Sequence, residues 1–252
     1  QHPLVQKLLI WFGQMFPDRD LYHYVFKDLA SYLYGRNAEK LLRFWCGDGN
    51  NSKTMLAKCI QMWLGLYCVD FPPTFLTGKP MGTSGPNPEL AQAHGAHIGF
   101  VPETEDDEKI REGSAKRATG GDRQFARMCN ENGGPMEMMA KVVLMCNKIP
   151  EFTSISKALR NRFIYVPFLA TWSDDAPESL EEQYTSRTFK NDPFFESQLP
   201  ELSQALGWVA VQYYYHYKTE GLIQPRIVTE YTARHWEEND PMLGFISERL
   251  QQ

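Results

Sequence analysis

Eight consecutive residues, Gly47-Asp48-Gly49-Asn50-Asn51-Ser52-Lys53-Thr54, constrain this chain more than any other stretch. They follow the spacing G-x-x-x-x-G-K-[ST], with Ser52 at the position of the second glycine. The apolar run Leu41 to Cys46 leads into them and reads as a strand, and a helical pattern from Thr54 to Leu64 follows. In a strand–loop–helix setting the loop N–H groups can wrap phosphates, and the helix N-terminus adds partial positive charge. Lys53 is then the residue for the β- and γ-phosphates, and the Thr54 hydroxyl the one for Mg²⁺. The plainer alternative is a Gly/Asn turn with a surface lysine. A side chain at Ser52 limits how closely the backbone approaches a nucleotide.

The rest of the chain supplies the setting. Apolar residues recur at helical spacing over Leu4–Phe16 and Leu21–Leu33, with Pro17-Asp18 between them. Strand candidates are Leu41–Cys46, Tyr67–Phe71, His97–Pro102, Val142–Cys146 and Phe163–Val166, with helical patterns between several of them. Alternation of this kind predicts an α/β core around a largely parallel sheet. Thr77–Pro88 reads as a loop, Thr171–Glu182 as an acidic linker, and two helices punctuated by Gly221 and Pro225 follow from Leu199. The expected division is a helical region over 1–36, the core over 37–170, and a linker with helices over 171–252.

Composition narrows the partners. The net charge of −5 leaves no global basic field, so any nucleic-acid contact has to come from a local patch. The five cysteines, Cys46, Cys59, Cys68, Cys129 and Cys146, show no C-x-x-C spacing. Three of them sit in apolar runs and read as reduced core residues of a non-oxidising compartment. No apolar run approaches the roughly 18 residues of a membrane span. The chain begins at Gln1, which suggests a piece of a longer protein.

Four further groups could carry chemistry. Glu103 follows the apolar segment 97–102, where a carboxylate beside Mg²⁺ and an attacking water belongs, at the end of a strand expected next to the phosphate-loop strand. Glu105 is a second candidate, while Asp107 and Glu108 read as a solvated acidic helix start. Asn147 ends the buried run from Val142, placed either to sense a γ-phosphate oxygen or to open the Asn147–Pro150 turn. Lys116, Arg117, Arg123, Arg127 and Lys141 make the region between them locally basic, and the Gly-rich turn around Asn132-Gly133 predicts a β-hairpin. That stretch is either a contact for phosphodiester backbone or an ordinary solvated basic face. Arg160 and Arg162 precede a strand, either as an arginine fork for a transferring phosphate or as structural ion-pairing residues.

Together these motifs resemble the superfamily 3 helicases, in particular the primase-helicases of large DNA viruses such as poxviruses and African swine fever virus, and of phages and plasmids. The phosphate loop matches at Gly47–Thr54, the strand-end carboxylates at Pro102–Glu105, and the family's C/G-N-x-x-P at Cys146, Asn147 and Pro150. K-x-x-T-G-G-D-x-x-x-x-R is matched in full at Lys116, Thr119, Gly120, Gly121, Asp122 and Arg127. The arginine motif runs from Ala158 to Phe168, with Asn161 interrupting the arginines. The resemblance implies an AAA+-type core in a hexameric ring, with ATP and Mg²⁺ bound between neighbours. Lys53, Thr54, Glu103 and Asn147 would lie on one side and Arg160 or Arg162 of the next subunit on the other. It implies single-stranded DNA tracked by the hairpin, with Lys116, Arg123, Arg127, Asn132 and Gly133 nearest the strand. It also implies a primase domain N-terminal to this segment and a replication site in the host cytoplasm, away from membranes. Two rivals are a P-loop phosphotransferase acting on a small molecule and a nucleotide-binding assembly module that hydrolyses poorly.

Overall fold

A computed structural model describes residues 2–78, 88–105, 108–121, 123–126, 134–153 and 156–238. In chain order the elements are α1 (Pro3–Met15), α2 (Arg19–Ser31), β1 (Leu42–Cys46), α3 (Lys53–Leu64), β2 (Cys68–Asp70), α4 (Thr74–Thr77), α5 (Pro88–Gln92) and β3 (Ile98–Val101). There follow α6 (Glu112–Gly120), β4 (Arg123–Ala126), β5 (Gly134–Glu137), β6 (Lys141–Cys146), α7 (Lys157–Arg160) and β7 (Phe163–Pro167). The last are β8 (Thr171–Ser173), α8 (Leu180–Ser186), β9 (Thr188–Lys190), α9 (Leu199–Glu220) and α10 (Arg226–Glu238). The two N-terminal helices start where the sequence marks them. Pro3 opens α1, and the Asp18 carboxylate accepts from Leu21 N–H at 2.8 Å as the cap of α2.

The main sheet has the order β2-β3-β6-β1-β7, and every pairing in it is parallel. This arrangement fits a P-loop NTPase core, flanked by helices from both ends of the chain. The central strands are buried on both faces, which is why they read as near-continuous apolar runs, broken only by the buried Arg43 and Lys141, rather than alternating ones. On one face Trp45, Phe100, Val143 and Ile164 pack under α1, α2, α3 and α9. On the other, Leu42, Phe44, Leu144 and Tyr165 pack under α6, and α10 lays Trp236 against Phe163.

Three expectations change. Strand β3, which leads to Glu103, is not beside the phosphate-loop strand: β6 lies between them. The chain leaves β3 through α6 and the β4–β5 hairpin before it returns to the sheet, and the returning strand takes the inner place. The segment expected as a linker carries structure, because β8 pairs with β9 and Trp172 packs on Phe189. Lys141 is no part of a basic surface. It is fully buried and donates to the carbonyl of Tyr34 at 2.7 Å, and burial pushes its pKa down to about 7.

A buried ion pair ties α2 to β1. Arg43 Nε reaches both Asp28 oxygens, at 2.7 and 3.0 Å, and Tyr32 donates to the same carboxylate at 2.9 Å. Removing either charge would strand the other in a dry interior, at about 3–5 kcal/mol. Cys46 and Cys146 face each other across the β1–β6 register with free thiols 3.7 Å apart.

Candidate nucleotide site

Strands β3, β6 and β1 are parallel, so their C-terminal ends lie along one edge of the sheet, where ligands of open α/β sheets bind. Glu103, Asn147 and the phosphate loop all emerge there. The loop turns sharply because Asn50 (φ 56°) and Ser52 (φ 65°) are left-handed. Asn tolerates that region, but a serine does not adopt it readily, at a cost of about 1–2 kcal/mol. Gly47 is obligatory for a different reason: a Cβ there would run into the carbonyl oxygen of Phe168. Asn51 braces the loop, donating from Nδ2 to the Asp48 carbonyl at 2.5 Å. Ser52 sits at the N-cap of α3, whose first-turn N–H groups have no intrahelical acceptors.

The strain at Ser52 gives a direct expectation. Ser52→Gly should raise stability by about 1 kcal/mol and leave nucleotide binding equal or tighter. Thermal melts with and without nucleotide check this. A lower melting temperature would mean that the long contact from Trp11 Nε1 to Ser52 Oγ, 3.5 Å, outweighs the backbone strain.

Beneath the loop lies a continuous polar network. The Lys53 ammonium donates to the carbonyls of Gly47 and Cys146, the latter at 3.0 Å, and to Asn147 Oδ1 at 3.0 Å. All three of its hydrogens are thereby used. Burial is the largest influence on its pKa and lowers it, and nearby thiols and carboxylates oppose that. Asn147 passes the chain on: its Nδ2 donates to Glu103 Oε2 at 2.8 Å, and its backbone N–H to Oε1 at 2.7 Å. Partners on both sides thus fix the amide orientation. An ammonium from the start of α3, an amide after β6 and a carboxylate after β3 are linked in one chain. The exposed Glu105 lies outside this network, its backbone carbonyl accepting from Glu108 N–H at 3.0 Å.

A cleft of about 420 Å³ opens beside the loop. Trp11 of α1, Trp172 of β8 and Phe195 line it together with Ser52, Lys53 and Thr54, and Trp172 N–H bonds the Asn50 carbonyl at 2.8 Å. No local pattern marks these aromatics, since they come from three separated segments. No group of three or more His, Cys, Asp or Glu able to hold a metal occurs among the described residues. The donor set of Thr54 hydroxyl and Glu103 carboxylate therefore suits Mg²⁺ only if phosphate oxygens complete its shell, which is how that ion is usually held.

The arginines lie elsewhere. Leu42 of β1 pairs with Phe163 of β7, so Arg160 and Arg162 sit at the N-terminal edge of the sheet. That is a strand length, roughly 16 Å, from the phosphate loop of their own chain. Arg162 donates to Thr119 Oγ1 at 3.0 Å, and the Arg160 guanidinium stacks 5.1 Å from the centre of the Trp236 ring.

The hairpin forms as expected, β4 pairing antiparallel with β5, with Phe125 exposed on it. Lys116 lies on α6, about half exposed and paired with Glu112 at 2.6 Å. Arg123 opens β4, whereas Arg127, Asn132 and Gly133, with Asp106, Asp107, Asp122 and most of the expected 77–88 loop, lie outside the described residues. No described helix is long and apolar enough to cross a membrane.

No protein-family model matches the chain. It is 32% identical over 220 residues to "Putative helicase 184R" of Invertebrate iridescent virus 6, covering 84% of this chain and 23% of that protein. It is 29% identical over 252 residues to "Putative helicase 022R" of Frog virus 3 (isolate Goorha), covering 98% of this chain and 26% of that protein. The chain thus spans about a quarter of the length of these curated relatives. Among solved structures, the A form apo structure of the NrS-1 C terminal region aligns with a TM-score of 0.54 at 14% identity. That alignment covers 82% of this chain and 43% of the other, a likeness of fold.

Proposed function

We propose that this chain is the ATP-driven motor of a viral replicative DNA helicase of the superfamily 3 type, acting as a hexameric ring on single-stranded DNA. The observation that carries the reading is the Lys53–Asn147–Glu103 network beneath a phosphate loop at the C-terminal edge of a parallel sheet. The helicase names of its viral relatives support the same reading. On this reading a primase domain precedes the segment in the full-length protein, which works in the host cytoplasm.

The phosphate loop and the α3 N-terminus hold the triphosphate, and the aromatics of the cleft hold the base. Lys53 exchanges a carbonyl acceptor for a phosphate oxygen, which charge assistance favours. Thr54 and Glu103 are the residues for Mg²⁺, an ion that neutralises charge on phosphoryl oxygens when bound. Glu103 also orients the attacking water, and Asn147 reports on the γ-phosphate to both neighbours. Arg160 acts in trans, because the sheet sets it a strand length away from its own phosphate loop.

DNA contact falls to the hairpin side, through Lys116, Arg123, Arg127, Asn132 and Gly133. The experiment is ATP turnover and DNA affinity measured against salt, for the wild type and a Lys116→Ala, Arg123→Ala double variant. Single-stranded DNA should raise wild-type turnover. The affinity slope should be shallower in the variant by about 0.7 log units per lost phosphate contact. Turnover indifferent to DNA would favour a small-molecule phosphotransferase, and negligible turnover a nucleotide-binding assembly module.

A further inference from the structure

Helix α6 packs on one face of the sheet and leads into the hairpin. It starts just after Ile110, which bridges to Phe152 in the segment that follows β6. It ends beside the start of β7, where Gly121 takes a left-handed conformation (φ 69°) and the chain enters the hairpin at Arg123. In its last turn Thr119 is 1% exposed. The Thr119 hydroxyl donates to the Ala115 carbonyl at 2.9 Å and accepts from Arg162 Nη1 at 3.0 Å. Both capacities of one hydroxyl are therefore used. The guanidinium also sits at the negative end of a helix dipole, a favourable place for a cation. Arg162 immediately precedes β7, and its own carbonyl accepts from Leu42 N–H at 2.8 Å, the first residue of the phosphate-loop strand.

We propose that Thr119 is a positioning residue: by holding Arg162 on the end of α6 it makes the hairpin and the arginine-bearing edge of the sheet move as one body. Contact of DNA with the hairpin is then transmitted to α7 and β7, and so to Arg160. The proposal rests on the reading of the chain as a DNA-dependent ATPase. It also separates the two arginines: Arg162 is a strut within its own subunit, and Arg160 is the one that faces a neighbour.

The test compares Thr119→Val, which keeps the shape but can neither donate nor accept, with Thr119→Ser, which can do both. The readout is the ratio of turnover with single-stranded DNA to turnover without it. Thr119→Val should keep basal turnover within about twofold of wild type and lose at least about fivefold of the stimulation, a size usual for such couplings. Thr119→Ser should retain the stimulation. Arg162→Lys changes the other partner at a partly buried position and should lose stimulation similarly; adding Thr119→Val to it should cost nothing more. Full stimulation in Thr119→Val, or additive losses in the double variant, would overturn the proposal. A wild type that DNA does not stimulate would instead overturn the functional reading on which it rests.

Discussion

Lys53→Ala should abolish ATP hydrolysis while the chain stays folded. The ammonium is the positive charge at the floor of the phosphate loop. Preorganised charges of this kind commonly contribute about 3 kcal/mol or more to the transition state, a loss of at least a hundredfold in kcat. Folding should survive because Lys53 borders the cleft and Asn147 is exposed, so water can replace the ammonium beside the freed acceptors. The remaining cost is about 1 kcal/mol per lost hydrogen bond. Turnover and melting temperature are the measurements. A variant retaining more than about a tenth of wild-type kcat, equivalent to about 1.4 kcal/mol, would remove Lys53 from the site. The same protein tests the trans arginine. Mixed with an Arg160→Ala subunit it should recover activity, since some interfaces then combine an intact Lys53 with an intact Arg160. Mixed rings without recovery would place the finger elsewhere.

Glu103→Gln should bind ATP and turn it over at least about a hundredfold more slowly. The geometry explains why a change of one atom is severe. Glu103 accepts twice from Asn147, once from the backbone and once from Nδ2. A glutamine can accept at one oxygen only, so its NH₂ would face the NH₂ of Asn147. Flipping the Asn147 amide relieves that clash but turns its NH₂ toward the Lys53 ammonium. The whole network is thereby lost, along with the carboxylate charge. Glu105→Gln should be milder, because the Glu105 carboxylate lies outside the network that holds Glu103. Steady-state turnover alongside nucleotide binding separates the two residues, and the reverse order of severity would exchange their roles.

Much of this architecture is written locally. The phosphate loop needs eight adjacent residues, and the strands show as apolar runs because a parallel sheet buries both of their faces. The two N-terminal helices carry their own caps, and the hairpin follows from a Gly-rich turn between two short runs. Each of these depends on neighbours in sequence, so the order of residues alone determined a P-loop α/β core with Lys53 at a helix start and Glu103 and Asn147 just beyond strand ends. Other features depend on which segments meet in space. The β6 strand separates β3 from β1, and so Asn147 rather than Glu103 contacts Lys53 directly. Lys141 counts as a surface charge in the sequence but is a buried donor to the Tyr34 carbonyl. The aromatic cleft draws Trp11, Trp172 and Phe195 from three segments, and a hydroxyl on α6 claims Arg162 while a ring on α10 claims Arg160. Periodicity and short motifs report which face of an element is buried and where the chain turns. Strand order and partner choice are long-range, and the tertiary structure alone decided them.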